Sequence, residues 1–440
     1  MASGFQTLPG FRDFDPRTCM LRNYLFETWR EVARKYGFSE YETPILEPTE
    51  LYLKKSGGEL ATQLFRFEDQ GGRDVTLRPE VTASLARLAA AEQRNYPKPL
   101  KWFEIGQCFR YEKPQKGRTR EFYQFNTDLL GDDSPAADAE LIALSIDTMR
   151  ALGFSQDHFK VRLSDRSYLT SRLQDLTSGA HSSLWSNPES LVSILSIIDR
   201  FGKDSDKISE MKLGEFGLSL SDILNVFDEA KELIGNERLG RVYEDLTARG
   251  LGDFVEIDLS IVRGLAYYTG VVFEIFDTSR SLRAVAGGGR YNTLVSTLTD
   301  GKTELPAIGF AMGDVVIGHF IKENTAAKLQ FEHWQREQST CDFYLVIDDE
   351  EKRPEALKLA QDLRNSGLRI DFPLTKTKFD KQLKAATATM APYALIIGRD
   401  YPELKLRHLS SRHNETIRAN APLADLLRER LDNPEGGLLA

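Results

Sequence analysis

Residues 100–131 read LKWFEIGQCFRYEKPQKGRTREFYQFNTDLLG: two apolar runs joined by a short cationic loop. Each run has the length and aromatic content of a strand, and the loop makes the pair a hairpin. Between Phe109 and Phe122 stand Arg110, Lys113, Lys116, Arg118 and Arg120, with Glu112 and Glu121 among them. Arg110 and Glu112 share a face of the incoming strand, because side chains alternate with period two. Arginine forks take phosphate oxygens in pairs. A glutamate beside them can accept from an amine, and an aromatic such as Phe122 can stack on a flat ring. Taken alone, the stretch is either a solvated hairpin of paired charges, of the kind that contributes little, or a nest for a polyphosphate.

On the N-terminal side, residues 18–36 place Leu21, Leu25, Trp29 and Val32 at helical spacing, and Gly37 ends the helix. Pro44 and Pro48 bracket a short extended segment, which prolines confine to a sheet edge or an interface. Phe65 and Phe67, a Gly71-Gly72 turn, then Val75 and Leu77 read as strand, turn, strand, and Pro79 opens a loop into an alanine-rich helix. Between about 165 and 249 leucine periodicity dominates, as in SLVSILSIIDRF, which predicts a helical insertion. Strands return with FVEIDLS, GVVFEIFD and RAVAGGGRYNTLV. This is a strand meander with helices, so the fold class is α+β: an antiparallel sheet with flanking helices. Residues 326–340 are polar and suit a linker. From 341 the segments DFYLVID, RPEALKLAQDLRNSG, LRIDF, KFDKQLKAATATM and YALIIG alternate as βαβαβ, a separate α/β domain over 341–440. The first domain then covers 1–325.

A length of 440 residues exceeds one compact domain. A net charge of −9 argues against a general nucleic-acid coat but leaves local cation clusters open. Cys19, Cys108 and Cys341 are too scattered for a disulfide framework or a metal cluster, which fits a reducing cytoplasm. No apolar run has the length of a membrane span, and the first residues lack the apolar stretch of a signal peptide. A cytoplasmic protein with no membrane partner is expected.

The order FRxE, basic loop, RxxxF between two apolar strands is similar to the second signature motif of class II aminoacyl-tRNA synthetases. GFRDF at 10–14, TLRPEVTAS at 76–84, FRYEKPQKGRTREFYQ at 109–124, VRGLAYYTGVVFE at 262–274 and GGGRYNTLV at 287–295 extend the resemblance over nearly the whole chain. Their order and approximate spacing resemble the histidyl-tRNA synthetases. RGLAYYTG with LRPEVT upstream narrows the resemblance to that family and its close relatives.

The resemblance implies a role for each residue. Arg110 would grip the α-phosphate of ATP, Glu112 would read the adenine amine, Arg118 would take the γ-phosphate region and Phe122 would lie under the adenine. Glu80 and Thr82, helped by Gln124, would hold the α-amino group of histidine. Asp128 would face the imidazole, and Tyr267-Tyr268 would close its pocket. Arg263 would contact both the α-phosphate and the carboxylate, making it with Arg110 the catalytic pair. The C-terminal domain would bind the anticodon arm, with Lys381 and Lys384 facing tRNA. The implied reaction converts L-histidine and ATP, with Mg²⁺, to histidyl-adenylate and then esterifies the 3′ end of histidine tRNA. The metal ligands are not indicated, and the family builds a homodimer. The competing relative is a non-charging histidine sensor such as the regulatory subunit of ATP phosphoribosyltransferase, which typically lacks the anticodon-binding domain.

Each residue also has a plainer reading. Glu80 and Thr82 suit helix caps, Tyr267 and Tyr268 suit a core, Gly287-Gly288-Gly289 suits close backbone packing, and the lysines suit a solvated helix face. Two positions depart from the family. Ala266 stands where an aspartate is common, and Val316 stands where the third motif ends in an arginine. Another cation then has to take the ATP tail. Arg118, with Lys116 and Arg120 beside it, is the nearest candidate in sequence.

Overall fold

The computed structural model describes residues 5–55, 61–177, 188–201, 204–231, 238–262, 267–279, 283–420 and 422–432. The strands of its first part are β1 (Ser39–Glu40), β2 (Leu46–Pro48), β3 (Phe65–Glu68), β4 (Asp74–Leu77), β5 (Leu100–Phe109), β6 (Glu121–Leu130), β7 (Phe159–Asp165), β8 (Val255–Ile257), β9 (Val271–Asp277), β10 (Ala286–Arg290) and β11 (Ala307–Gly313). Eight of them form one sheet in the order β1-β5-β6-β11-β10-β9-β7-β8. The six central strands pair antiparallel, and short β1 and β8 add parallel at the edges. A separate sheet, β2-β4-β3, keeps proline-bearing β2 at its edge, where a missing N–H costs least.

The sheet is packed through alternation on β6. On its odd face Phe125 stacks on Trp29 with ring centroids 5.4 Å apart. Phe103 and Phe310 meet the same ring edge-on. The helix Pro16–Lys35 covers this face and buries Tyr24, Leu25, Trp29 and Val32. It starts with Asp15 capping Thr18 N and a proline in the first turn, and Gly37 follows it at φ 76°. On the opposite face, helices Thr82–Glu92 and Leu294–Leu298 close one end of the sheet around Leu85, Leu130 and Tyr291. RAVAGGGRYNTLV is therefore strand only as far as Arg290, and its last residues begin a helix.

Two glycines of the β10 triplet, Gly288 and Gly289, are required by packing. A Cβ on Gly288 would lie 2.4 Å from Gly309 O and 2.6 Å from Phe310 Cβ. The insertion contains helices Arg166–Leu176, Pro188–Ile198, Asp206–Gly214, Leu220–Lys231 and Arg238–Ala248. The last packs on helix Pro135–Ala151, where Arg238 Nε donates to buried Asp138 at 2.7 Å. Arg290 holds the other oxygen of Asp138 at 2.6 Å, tying β10 to the same helix.

The chain divides into compact units Met1–Phe331 and Glu332–Ala440. The stretch read as a polar linker is mostly a helix, Thr325–Glu337. Gln330 Nε2 donates to Tyr24 Oη at 3.1 Å, and Phe331 packs on the Tyr24 ring. Ala327 is its buried residue, so its apolar periodicity is too weak to read. The second unit has strands β12 (Phe343–Ile347), β13 (Ile370–Asp371), β14 (Tyr393–Ile397), β15 (Glu403–His408) and β16 (Asn414–Arg418) in the order β13-β12-β14-β15-β16. The first three pair parallel with helices Arg353–Asn365 and Phe379–Ala388 between them, as βαβαβ requires. The antiparallel β15 and β16 extend it beyond the expected pattern.

Gly288→Ala forces backbone against backbone and should cost about 1–3 kcal/mol. Gly214→Ala meets nothing within 4 Å at the end of a helix and should stay within about 0.5 kcal/mol of the parent. Urea unfolding of the two variants checks the contrast, and equal midpoints would overturn the packing account.

Candidate active site

Two adjoining cavities open on the even face of β6. The smaller holds about 50 Å³, the larger about 590 Å³, and Arg110, Gln124 and Ala311 border both. Alternation delivers the residues: Phe122 and Gln124 border the larger space, and Gln124, Asn126 and Asp128 the smaller. The neighbouring strand makes room for them. Across from Asp128, Asn126 and Gln124 stand Gly309, Ala311 and Gly313. A Cβ on Gly309 would fall 1.9 Å from Asp128 Oδ1.

The small cavity is acidic and phenolic. Glu80 and Thr82 line it from the start of helix Thr82–Glu92. The N-cap of that helix is Val81, with no side-chain cap bond. Tyr267, Tyr268 and Tyr291 complete the wall. Tyr291 Oη donates to Asp128 Oδ1 at 2.5 Å. Burial first, and then the nearby Asp128 carboxylate, holds the Tyr291 phenol well above its ordinary pKa. Burial and then Glu80 does the same for Tyr267 and Tyr268. All three rings therefore enter the site as hydroxyl donors. Cys108 sits behind Gln124 at 3.5 Å, with burial pushing its thiol up to about 12, so it stays neutral.

The larger cavity is bordered by Arg110, Glu112, Arg118, Phe122, Glu274 and Arg283, with Val315 and Val316 on one side. Arg110 Nε donates to Pro79 O at 2.9 Å, and its guanidinium lies 5.2 Å from the centre of the Phe122 ring. Arg118 pairs with Glu112 at 2.6 Å. The loop tip is a tight turn: Gln115 and Arg118 exchange backbone bonds of 3.0 and 2.9 Å, and Gly117 takes φ 78°.

The other two candidate cations of this loop are turned elsewhere. Lys116 pairs with Glu323 at 3.0 Å. Arg120 donates to Glu112 O at 3.1 Å and lies over the Tyr111 ring at 4.1 Å. Neither borders these two cavities. Asp314, beside Val315 and Val316, is also turned away. It accepts from Tyr123 N at 2.9 Å and pairs with Arg12 at 2.9 Å, while Arg12 reaches Glu121 at 3.1 Å. This clamp fixes the start of helix Asp314–Glu323 against the cavity, and no side chain caps that start.

Sequence reasoning passed over Asn126, Tyr291, Arg283, Arg78 and Arg166. Asn126 could have been found from alternation between Gln124 and Asp128. Arg78, inside LRPEVT, is buried and supports the loop: Nη1 meets Glu104 Oε1 at 2.5 Å and Thr43 O at 2.9 Å, and Nε donates to Gln107 O at 2.8 Å. Arg166 donates to Val262 O at 2.7 Å and to Tyr268 O at 3.2 Å. It thus holds both flanks of 263–266, and Arg263 itself lies outside the described residues. In the second unit, Lys381 and Lys384 are exposed on helix Phe379–Ala388.

Residues 10–314 match the family model "Histidyl-tRNA synthetase", and 325–429 match "Anticodon binding domain". The chain belongs to the histidyl-tRNA synthetase family. The Opitutus terrae protein named histidine--tRNA ligase is 40% identical, covering 93% of this chain and 94% of its own. Its namesake in Haloarcula marismortui is 35% identical, covering 90% of each chain. The chloroplastic/mitochondrial form of Arabidopsis thaliana is 36% identical, covering 89% of this chain and 79% of its own. Among solved structures, histidyl-tRNA synthetase from Nostoc sp. PCC 7120 shares the fold with a TM-score of 0.74 at 24% identity, covering 97% of this chain and 100% of that one. A Bacillus halodurans structure named for both an ATP phosphoribosyltransferase regulatory subunit and histidyl-tRNA synthetase shares it with a TM-score of 0.68 at 24% identity, covering 88% and 97%.

If Asp128 faces the imidazole, Asp128→Ala should raise the KM for histidine roughly 10- to 100-fold and leave the KM for ATP near its parent value. Tyr291→Phe, which removes the donor to Asp128, should move the histidine KM the same way by about fivefold. Steady-state pyrophosphate exchange measures both. Parallel rises for the two substrates would mean damage to the sheet instead.

Proposed function

We infer that this chain activates L-histidine with ATP and transfers it to the 3′ end of histidine tRNA. Membership of the family and the two joined cavities support this reading, and the sharing of Arg110 and Gln124 between them carries it. Histidine lies in the small cavity, with its α-amino group toward Glu80, Thr82 and Gln124 and its imidazole toward Asp128 and Tyr268. A site built to pair both ring nitrogens rejects isosteres that lack one of them. ATP lies in the larger cavity, with adenine on Phe122 and its amine toward Glu112. The α-phosphate then falls at Arg110, on the border of the two spaces.

The histidine carboxylate attacks the α-phosphorus, forming one P–O bond as the bond to the bridging oxygen breaks and pyrophosphate leaves. Negative charge grows on the phosphorus centre, and Arg110 and Arg263 stabilise it more there than in the ground state. No side-chain nucleophile takes part. Among the described residues no histidine lines either cavity. In the second step the terminal tRNA hydroxyl attacks the acyl carbon and AMP departs. Mg²⁺ neutralises phosphate charge when bound. Of the carboxylates bordering the larger cavity, Glu274 is the hard oxygen donor left to hold the ion, since Glu112 serves the adenine amine and pairs with Arg118.

Relatives 34–40% identical are consistently named histidine--tRNA ligase, and the matched anticodon-binding domain is the part a histidine sensor typically lacks. We further propose a homodimer. Ile45, Leu46 and Phe67 near β2 and β3, with Tyr111, are 41–55% exposed and would suit a self-complementary interface. Among the described residues no helix is long and apolar enough to cross a membrane, and a cytoplasmic location is part of this proposal.

Purified chain should exchange pyrophosphate into ATP only when histidine is added; equal exchange without histidine would overturn the reading. Lys381→Ala with Lys384→Ala should leave that exchange intact and weaken tRNA charging, with a shallower salt dependence of tRNA affinity. An unchanged salt slope would return the two lysines to a solvated face.

A further inference from the structure

We propose that Arg283 is the cation that takes the polyphosphate tail in the larger cavity. The inference rests on the nucleotide reading of that cavity and goes beyond it. A tail stripped of water needs cationic partners. Among the described residues bordering the cavity the cations are Arg110, Arg118 and Arg283. Arg110 is anchored to Pro79 O at the border with the small cavity, where it suits the α-phosphate. Arg118 is engaged with Glu112 at 2.6 Å. Arg283 makes no hydrogen bond or ion pair with the described residues, and it is exposed at the cavity wall.

The cavity also carries Glu112, paired with Arg118, and Glu274, so the ground that favours an anion is the wall of Val315 and Val316. Val315 and Val316 offer no side-chain charge, and the uncapped start of helix Asp314–Glu323 turns its positive end to the same space. The acid of that helix start, Asp314, is neutralised by Arg12 and does not oppose a phosphate. The basic loop leans over this wall: a Cβ on Gly117 would lie 3.6 Å from Val316 Cγ2. Arg118 and Arg283 thus border one space, one arginine already paired and the other without a partner among the described residues.

The test uses the full chain. Arg283→Ala should raise the KM for ATP, and for pyrophosphate in the reverse direction, roughly 10- to 100-fold, the worth of one charge-assisted bond. Its affinity for a non-hydrolysable histidyl-adenylate analogue, which has no β- or γ-phosphate, should stay at the parent value. Adding Val316→Arg should recover much of the ATP KM. An unchanged ATP KM in Arg283→Ala, or an equal loss of affinity for the adenylate analogue, overturns the proposal. Arg110→Ala separates it from the wider reading: if that variant binds ATP and the analogue like the parent, the cavity is not the nucleotide site, and both fall together.

Discussion

Strand β6 has to satisfy two environments at once, and the rest of the first unit follows from that. Its odd side chains lock into an aromatic core, with Phe125 stacked on Trp29. Its even side chains, Gln124, Asn126 and Asp128, face open space. A one-residue slip of register would exchange the two sets and lose core and site together. Small residues on β11 and β10 are the counterpart of this constraint. Gly309 leaves room for Asp128, and Gly288 lets β10 and β11 approach without a Cβ between them.

Charge is partitioned by the same geometry. The quoted hairpin is cationic as a string, yet its arginines and lysines separate once folded. Arg110 and Arg118 turn to the cavity, while Arg120 and Lys116 fasten the loop to Tyr111 and Glu323. Buried and half-buried pairs do the positioning underneath: Arg78 with Glu104, Arg290 with Asp138, and Arg12 with Glu121 and Asp314. Burial holds the Glu104 and Asp138 carboxyls above their ordinary range, and the arginines offset part of that shift. Such pairs are better understood as fixing geometry than as net stabilisers.

The comparisons carry different weights. Likeness to solved structures near 24% identity shows the fold, and one of those structures bears a name joining synthetase and regulatory subunit. The fold by itself therefore does not separate charging from sensing. Sequence identity of 40% over 93% of the chain, together with the matched anticodon-binding domain, separates them better.

Much of this was legible in the string. The paired apolar runs around a basic loop read as antiparallel hairpin, and alternation put Arg110 with Glu112, because strand period is a local property. The helix ending at Gly37 and the edge position of the Pro48 strand were equally local, set by a backbone angle and a missing donor. The helix Thr325–Glu337 was not legible, since it buries too little to impose a pattern. Neither were the partners of the charged side chains. Arg12 meets Asp314 across 302 positions of sequence, and Tyr291 meets Asp128 across 163. Whether an arginine serves a cavity or a clamp depends on which distant carboxylate or carbonyl the folded sheet brings within 3 Å. Composition and spacing carry no record of that, so Lys116, Arg118, Arg120 and Arg283 look alike as letters and are sorted only by tertiary structure.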